Sequence, residues 1–154
     1  MGNVIHFILG VFFWTFLEYV LHRFLGHWPK GMLKKTRFFK EHKKHHYIKN
    51  YFVTLKDKLL TAVFLGVCTT LIFHFLIHQN ISKYFLLGLL SMYFFYEIIH
   101  RRLHLYPAKN RYASFLRHHH HYHHYVDDTM NHGVTSPIWD LVFGTFKDSS
   151  FSQK

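Results

Sequence analysis

The chain has 154 residues, of which 49% are hydrophobic and 20% aromatic, and a formal net charge of +11 with histidine neutral. This length suits one domain, and the apolar residues lie in long runs, which excludes an ordinary soluble domain. The basic residues lie beside these runs, so the charge indicates a membrane surface and no nucleic-acid partner. Cys68 is the only cysteine, which excludes a disulfide within the chain and a cysteine-based zinc site.

The first predicted element is an apolar helix from Asn3 to Leu21. Its 19 residues would extend about 28 Å at the rise of an α-helix. This length is close to the thickness of a bilayer core, so we predict a transmembrane span. Glu18 lies four residues before His22 and would share a helix face with it. Either this carboxylate orients the imidazole, or it meets solvent at the membrane interface.

A polar segment, residues 22–58, follows this span and carries eleven of the 19 Lys and Arg residues. Trp28, Pro29 and Gly31 predict a turn, and the stretch from Phe38 to Tyr47 predicts a helix. We expect the lysines of this segment to face lipid headgroups or solvent.

Two further apolar runs predict spans at residues 59–77 and 84–99, joined by a short connection into a helical hairpin. The third span is short for a membrane crossing, but it can continue as a helix to His100. We expect two histidines at the far end of the hairpin to be structural, namely His74 and His78.

The C-terminal third begins with a loop and a helix start between Pro107 and Phe115. Residues 127–136 are polar and rich in turn formers, which predicts a loop. Pro137 then indicates the first position of a short helix, which would carry Asp140.

The distribution of basic residues predicts the orientation in the membrane. Segment 22–58 holds eleven Lys and Arg, segment 100–154 holds seven, and the hairpin connection holds one. The positive-inside rule places both large segments in the cytoplasm, with the N-terminus outside. The sequence therefore predicts an all-α integral membrane protein of about three transmembrane helices. Its cytoplasmic helical cap would consist of residues 22–58 and 100–145, within a single domain over residues 1–154.

Ten histidines form four clusters at the spacing of metal ligands. Positions i, i+3 and i+4 share a helix face, so each H-x-x-H-H triplet projects three imidazoles to one side. His22 and His27 are five residues apart, which predicts a helix end or a local distortion there. The four clusters are His22 and His27; His42, His45 and His46; His100 and His104; and His120, His123 and His124.

Neutral imidazole is a good ligand for iron, zinc, copper and nickel. A single histidine is more often a surface or core residue, but ten in ordered clusters exceed the six positions around one ion. We therefore predict two metal ions. Glu97, three residues before His100, would orient a ligand or pair with Arg101, and Asp140 would orient a ligand if the last helix folds back.

The order H-x4-H, H-x2-H-H, H-x3-H and H-x2-H-H resembles the membrane fatty acid hydroxylase and sterol desaturase superfamily. The ending GVTSPIWDLVFGT, residues 133–145, is similar to that of the fatty acid 2-hydroxylase branch. The resemblance covers about Asn3 to Thr145. It implies transmembrane hairpins with a cytoplasmic dinuclear metal site, whose ligands are the ten clustered histidines. Family members commonly have four spans, whereas this chain shows three.

The resemblance implies oxygen-dependent hydroxylation of a fatty acyl or related membrane lipid. The two metal ions would be iron, or zinc in the protein as isolated, and O2 would be the co-substrate. We expect no fused haem domain, so the electrons would come from a separate ferredoxin, or from cytochrome b5 with a reductase. The protein would be a multi-pass protein of the bacterial inner membrane, or of the endoplasmic reticulum if eukaryotic.

Other functions remain open from the residues alone. A sterol or lipid desaturase of the same superfamily would use the same metals. A carotenoid hydroxylase is a short relative, but its third cluster is H-x4-H. A non-catalytic metal-binding membrane protein is the third alternative. A transporter would carry polar residues along its spans, and a structural zinc site would close with four ligands.

Overall fold

The computed structural model describes residues 2–48, 50–76 and 81–148. Within these ranges the chain is helical and has no strand, which confirms the predicted all-α class. The end of the predicted second span, at Ile77, and His78 lie outside the described residues. The α-helices are α1 (Gly2–Val20), α2 (Arg37–Tyr47), α3 (Leu55–Leu76), α4 (Lys83–Leu105), α5 (Arg111–Tyr125) and α6 (Ile138–Val142). A π-helix at Leu21–His27 and a 3₁₀ helix at Gly31–Lys35 separate α1 from α2.

Capping side chains explain where several helices begin. The hydroxyl of Thr36 accepts the backbone N–H of Phe39 at the start of α2, and the Asn110 side chain accepts that of Ala113 at the start of α5. Thr54 caps α3 in the same way, so this helix begins at Leu55, four residues before the predicted span. Such caps satisfy amide groups that the first helical turn leaves free.

Two elements differ in detail from the prediction. Helix α4 continues past Ile99 without a break, so His100 and His104 lie on the same helix as the predicted third span. Helix α6 begins at Ile138, and Pro137 occupies the N-cap position instead of the first helical position.

Residues 2–14 and 53–95 form one compact unit, apart from the stretch that is not described. Its helices α1 and α4 approach closely through two glycines. A Cβ on Gly10 would lie 2.1 Å from the carbonyl oxygen of Phe85, and a Cβ on Gly88 would lie 2.1 Å from that of Phe7. Small residues allow this approach of two helix backbones, as they do between transmembrane helices.

Two helices are long and apolar enough to cross a membrane. They are Gly2–His27, with a mean hydropathy of 1.9, and Leu55–Leu76, with 2.2. Only 22% and 17% of their apolar windows are buried within the chain, whereas a core helix of a soluble protein buries most of its surface. Helix α4 does not meet the same criterion within the described residues. The third span therefore stays a prediction.

Residues 15–52 and 96–148 form the second compact unit. Its apolar core is small and forms between the end of α4, α5 and the loop before α6. Leu103, Leu116 and Val134 are buried there, with Tyr96, Ile99 and Phe115 packed against them. Most other buried side chains of this unit are polar, and many are histidines. This unit contains all four histidine clusters, and the single domain over residues 1–154 stays a prediction.

Candidate metal centre

The π-helix explains the five-residue spacing of the first cluster. On a regular α-helix, His22 and His27 would point in different directions, but the wider π turn places i and i+5 on one side. Their ring centroids lie 5.3 Å apart. The predicted local distortion is therefore confirmed.

The structure brings all ten clustered histidines together in two groups of five. Within each group, one ring nitrogen per residue lies within 4.8 Å of all the others. Both triplets are divided between the groups, since His45 separates from its α2 neighbours and His123 from its α5 neighbours. Group 1 consists of His22, His27, His42, His46 and His123, and group 2 consists of His45, His100, His104, His120 and His124.

The Nε2 atoms of each group converge at the separation of metal ligands. In group 1, Nε2 of His27 lies 2.8 Å from that of His42 and 2.9 Å from that of His123. In group 2, the pairs His45–His100 and His104–His120 are both separated by 2.8 Å. Two nitrogens bound at right angles to one ion, at the usual metal–nitrogen distance, would be about 2.9 Å apart, whereas a tetrahedral pair would be about 3.4 Å apart. The spacing therefore fits ions with more than four ligand positions.

The remaining ligand atoms support the same interpretation. The Nε2 atoms of His22, His46 and His124 are buried, and no hydrogen-bond partner for them is found in the described part of the chain. A buried, unpartnered nitrogen is unfavourable, and a metal ion satisfies it. All ten Nε2 atoms thus either approach another Nε2 or lack a hydrogen bond, so the residues present fit two metal ions.

Burial keeps several of these imidazoles neutral. Loss of solvent, reinforced by neighbouring histidines, lowers the pKa of His46 and of His104 to about 3. The same causes hold the pKa values of His42, His120 and His123 well below the usual range. Neutral imidazole is the form that binds metals, so the site is ready to bind ions at pH 7.

Backbone carbonyls orient several of the rings. The Nδ1–H of His22 donates to the carbonyl of His132, and that of His123 donates to the carbonyl of Met130 at 2.7 Å. In group 2, His45 donates in the same way to the carbonyl of Tyr51 at 2.7 Å. Because a carbonyl only accepts, Nδ1 carries the proton and the lone pair lies on Nε2.

Glu18 is buried, and among the described residues its carboxylate hydrogen-bonds to a loop and not to an imidazole. Its side chain is only 4% exposed. One carboxylate oxygen accepts the backbone N–H groups of Val134, at 2.6 Å, and Thr135, at 3.0 Å, and the other accepts the Thr135 hydroxyl at 2.7 Å. The carboxylate therefore reaches the loop before α6 and is buried instead of meeting solvent. Its part in orienting an imidazole stays a prediction.

Asp140 folds back from α6 and is fully buried. Its carboxylate accepts the backbone N–H groups of His132 and Gly133, each at 2.8 Å, and the hydroxyl of Thr145 at 2.8 Å. Within the part of the chain that the structure describes, it hydrogen-bonds to the same loop as Glu18 and to no residue of either histidine group. Glu97 is half-buried on α4.

Two histidines near the site were not predicted from the sequence. His119 lies in the run of histidines on α5, is fully buried, and its Nε2 lies 3.1 Å from the Asp140 carboxylate. The backbone carbonyl of His132 accepts the Nδ1–H of His22. This role could not be predicted from the sequence, because every residue has a backbone carbonyl. His118 and His121 belong to neither group.

Gly26 lies in the π-helix beside a proposed ligand. A Cβ at this position would lie 2.9 Å from Cδ2 and 3.0 Å from Nε2 of His42. We expect Gly26→Ala to push the His42 ring out of group 1 and to lower the metal content measured by mass spectrometry. Gly66→Ala is the matched control, since a Cβ there meets nothing within 4 Å. Equal metal content in both variants would contradict the expectation.

Comparisons with known proteins identify the family of this chain. The family model for fatty acid hydroxylase matches residues 7–145, and the chain belongs to that family. It is 34% identical over 150 residues to the ceramide very long chain fatty acid hydroxylase scs7 of Schizosaccharomyces pombe, covering 90% of this chain and 41% of that protein. It is 33% identical over 147 residues to a dihydroceramide fatty acyl 2-hydroxylase of Arabidopsis thaliana, covering 94% of this chain and 61% of that protein.

A solved structure shows the same fold. Full-length scs7p, of which only the hydroxylase domain is visible, matches with a TM-score of 0.71 and 27% sequence identity. The match covers 97% of this chain and 58% of that chain. The resemblance found in the histidine spacing is thereby confirmed. The chain spans between about two fifths and three fifths of the length of these relatives.

Proposed function

We propose that this protein is a membrane-bound oxygenase that hydroxylates a fatty acyl lipid. The observation that carries the proposal is the pair of five-histidine groups, whose Nε2 atoms converge at 2.8–2.9 Å. Five imidazoles per group would leave a position for a further ligand on an ion that takes six. The ten histidines would hold two iron ions, with zinc as the alternative in the isolated protein, and these ions would supply the binding and activation of O2.

The reaction requires electrons from outside the substrate. One oxygen atom of O2 enters the C–H bond to form a hydroxyl group, and the other leaves as water. This balance consumes two electrons and two protons beyond those of the C–H bond. We propose that a separate ferredoxin, or cytochrome b5 with its reductase, supplies the electrons.

The substrate is proposed from two features. The relatives are named for ceramide and fatty acyl hydroxylation, and the chain carries two apolar helices with mostly exposed surfaces. An apolar groove of about 460 Å³ between α3 and α4 offers room for an acyl chain; Leu59, Val63, Val67, Leu71, Leu86 and Leu90 line most of it. The position of hydroxylation beside the carbonyl is suggested by the names of the 2-hydroxylase relatives.

Product analysis tests this function. The full chain, loaded with iron and supplied with a reductase, its electron carrier and a ceramide or fatty acyl substrate, should yield an acyl lipid that gains one oxygen atom. Loss of two hydrogens without a gain of oxygen would indicate a desaturase instead. A chain that binds no metal at either group would overturn the metal centre itself.

We propose that both histidine groups lie on the cytoplasmic side of a membrane, in the bacterial inner membrane or the endoplasmic reticulum. The support is the charge asymmetry, with eighteen of the 19 basic residues in the two histidine-rich segments. Three spans would then separate the N-terminus from the C-terminus.

Labelling of single cysteines tests this topology. In a Cys68→Ser background, Asn3→Cys should react with an impermeant thiol reagent in vesicles oriented with the outer face exposed. Lys109→Cys, on the exposed loop before α5, should react only after the membrane is permeabilised. The reverse pattern would contradict the proposed orientation, and reaction of both sites in sealed vesicles would contradict three spans.

A further inference from the structure

One loop supports group 1. Residues 128–135 run beside this group and contact three of its five imidazoles. The carbonyls of Met130 and His132 accept Nδ1–H groups of ligands, as described above. The Asp128 carboxylate lies 3.3 Å from Nδ1 of His27.

Group 2 is supported differently. His45 donates to the carbonyl of Tyr51, which follows α2 and is remote in sequence from the loop. The Nδ1 of His120 is buried, and no hydrogen-bond partner for it is found in the described part of the chain. The two groups thus have unequal outer contacts.

Two buried carboxylates hold the loop in place. Asp140 accepts the N–H groups of His132 and Gly133, and Glu18 accepts those of Val134 and Thr135. Four successive backbone donors are therefore bound by two side chains from different helices. Hydrogen bonds to a carboxylate are about twice as strong as neutral ones, and burial removes competition from water. We call this arrangement the carboxylate clamp.

We propose that Asp140 and Glu18 are positioning residues for the metal ion of group 1 alone. The clamp fixes the carbonyls of Met130 and His132, and these carbonyls fix the rings of His22 and His123. The inference rests on the proposed metal centre and adds that its two ions depend on different parts of the chain. Loss of the clamp should release the ion of group 1 and leave that of group 2.

The hydrogen bonds predict which substitutions break the clamp. Each carboxylate oxygen of Asp140 accepts one backbone N–H. In either orientation, the amide of Asp140→Asn places an NH2 group against one of these donors, so one bond is lost and a buried donor is left unpaired.

Glu18→Gln is a conservative substitution that should keep the hydrogen bonds of Glu18. One oxygen of Glu18 accepts both backbone N–H groups, and the other contacts only the Thr135 hydroxyl. The glutamine oxygen can retain both backbone bonds, and the hydroxyl can rotate to accept from the amide NH2. Glu18→Met removes all three bonds while keeping a side chain of similar length.

Metal content measures the effect directly. The full chain in detergent is loaded with Zn²⁺, dialysed against a fixed concentration of chelator, and assayed by mass spectrometry. Wild type and Glu18→Gln should retain two ions per chain. Asp140→Asn and Glu18→Met should retain one, because loss of an outer contact typically weakens metal binding by about 10–100-fold.

Double variants identify which ion is lost. In Asp140→Asn combined with His22→Ala, both substitutions weaken group 1, so this variant should retain the one ion of group 2. Asp140→Asn combined with His120→Ala affects both groups and should retain none. Equal metal content in these two double variants would overturn the proposal, as would two ions in both Asp140→Asn and Glu18→Met.

The controls separate failure of this inference from failure of the metal centre. Wild-type protein that retains no ion would overturn the centre itself, whereas a wild type with two ions leaves only the clamp in question. Circular dichroism and size-exclusion chromatography report folding. If Asp140→Asn does not fold, the Glu18→Gln and Glu18→Met pair decides, and equal retention by both contradicts the clamp.

Discussion

Replacing His27 by alanine is expected to reduce turnover to background and to lower the metal content. Its Nε2 lies 2.8 Å from that of His42 and 2.9 Å from that of His123, so it joins the π-helix to both α2 and α5. Its removal leaves two nitrogens without their shared neighbour and opens one ligand position. Turnover with an acyl lipid and metal analysis of the purified variant measure the two effects.

The histidines of α5 allow ligand and non-ligand positions on one helix to be compared. His120→Ala, His123→Ala and His124→Ala should each abolish activity and lower the metal content. His121→Ala should have a small effect, because this ring belongs to neither group and lies 3.1 Å from the carbonyl of Leu103. His118→Ala should also be mild. Equal losses in all five variants would contradict the assignment of ligands.

Omitting the electron donor is expected to abolish turnover altogether. Insertion of one oxygen atom with release of water requires two electrons that the lipid does not supply. Iron-loaded protein with O2 and lipid should therefore be inactive, and addition of a reductase with ferredoxin or cytochrome b5 should restore turnover. Product formation is followed by mass spectrometry. Sustained turnover without any reductant would contradict the proposed reaction.

Several helices could be predicted because their signals lie in residues that are close together in the sequence. The apolar runs predicted α1 and α3, and histidines three or four residues apart predicted helices with one ligand-bearing face. The five-residue spacing of His22 and His27 predicted a distortion, which is the π-helix. These signals are local, so sequence alone was sufficient for them.

The division of the ligands between two groups could not be predicted in this way. His42, His45 and His46 share a wide face of α2, but His45 belongs to group 2 and the others to group 1. That choice depends on how α2 packs between the π-helix and α4. Spacing along one helix contains no information about its neighbours.

The segment before α6 was predicted to be a polar loop rich in turn formers, and several of its residues are buried. Asn131, His132 and Val134 are at most 1% exposed. Burial of its backbone is tolerated because Glu18 and Asp140 accept four successive N–H groups. Glu18 lies 116 residues from Val134, so no local pattern links them.

Isotopic labelling of O2 distinguishes an oxygenase from a hydrolytic enzyme. The iron-loaded protein is supplied with its electron donor, an acyl lipid and isotopically labelled O2, and the oxygen in the product hydroxyl is analysed by mass spectrometry. We expect the hydroxyl oxygen to come from O2. Incorporation of oxygen from water, or equal turnover with zinc-only protein and no reductant, would contradict an oxygenase and indicate hydrolytic chemistry at the two histidine groups.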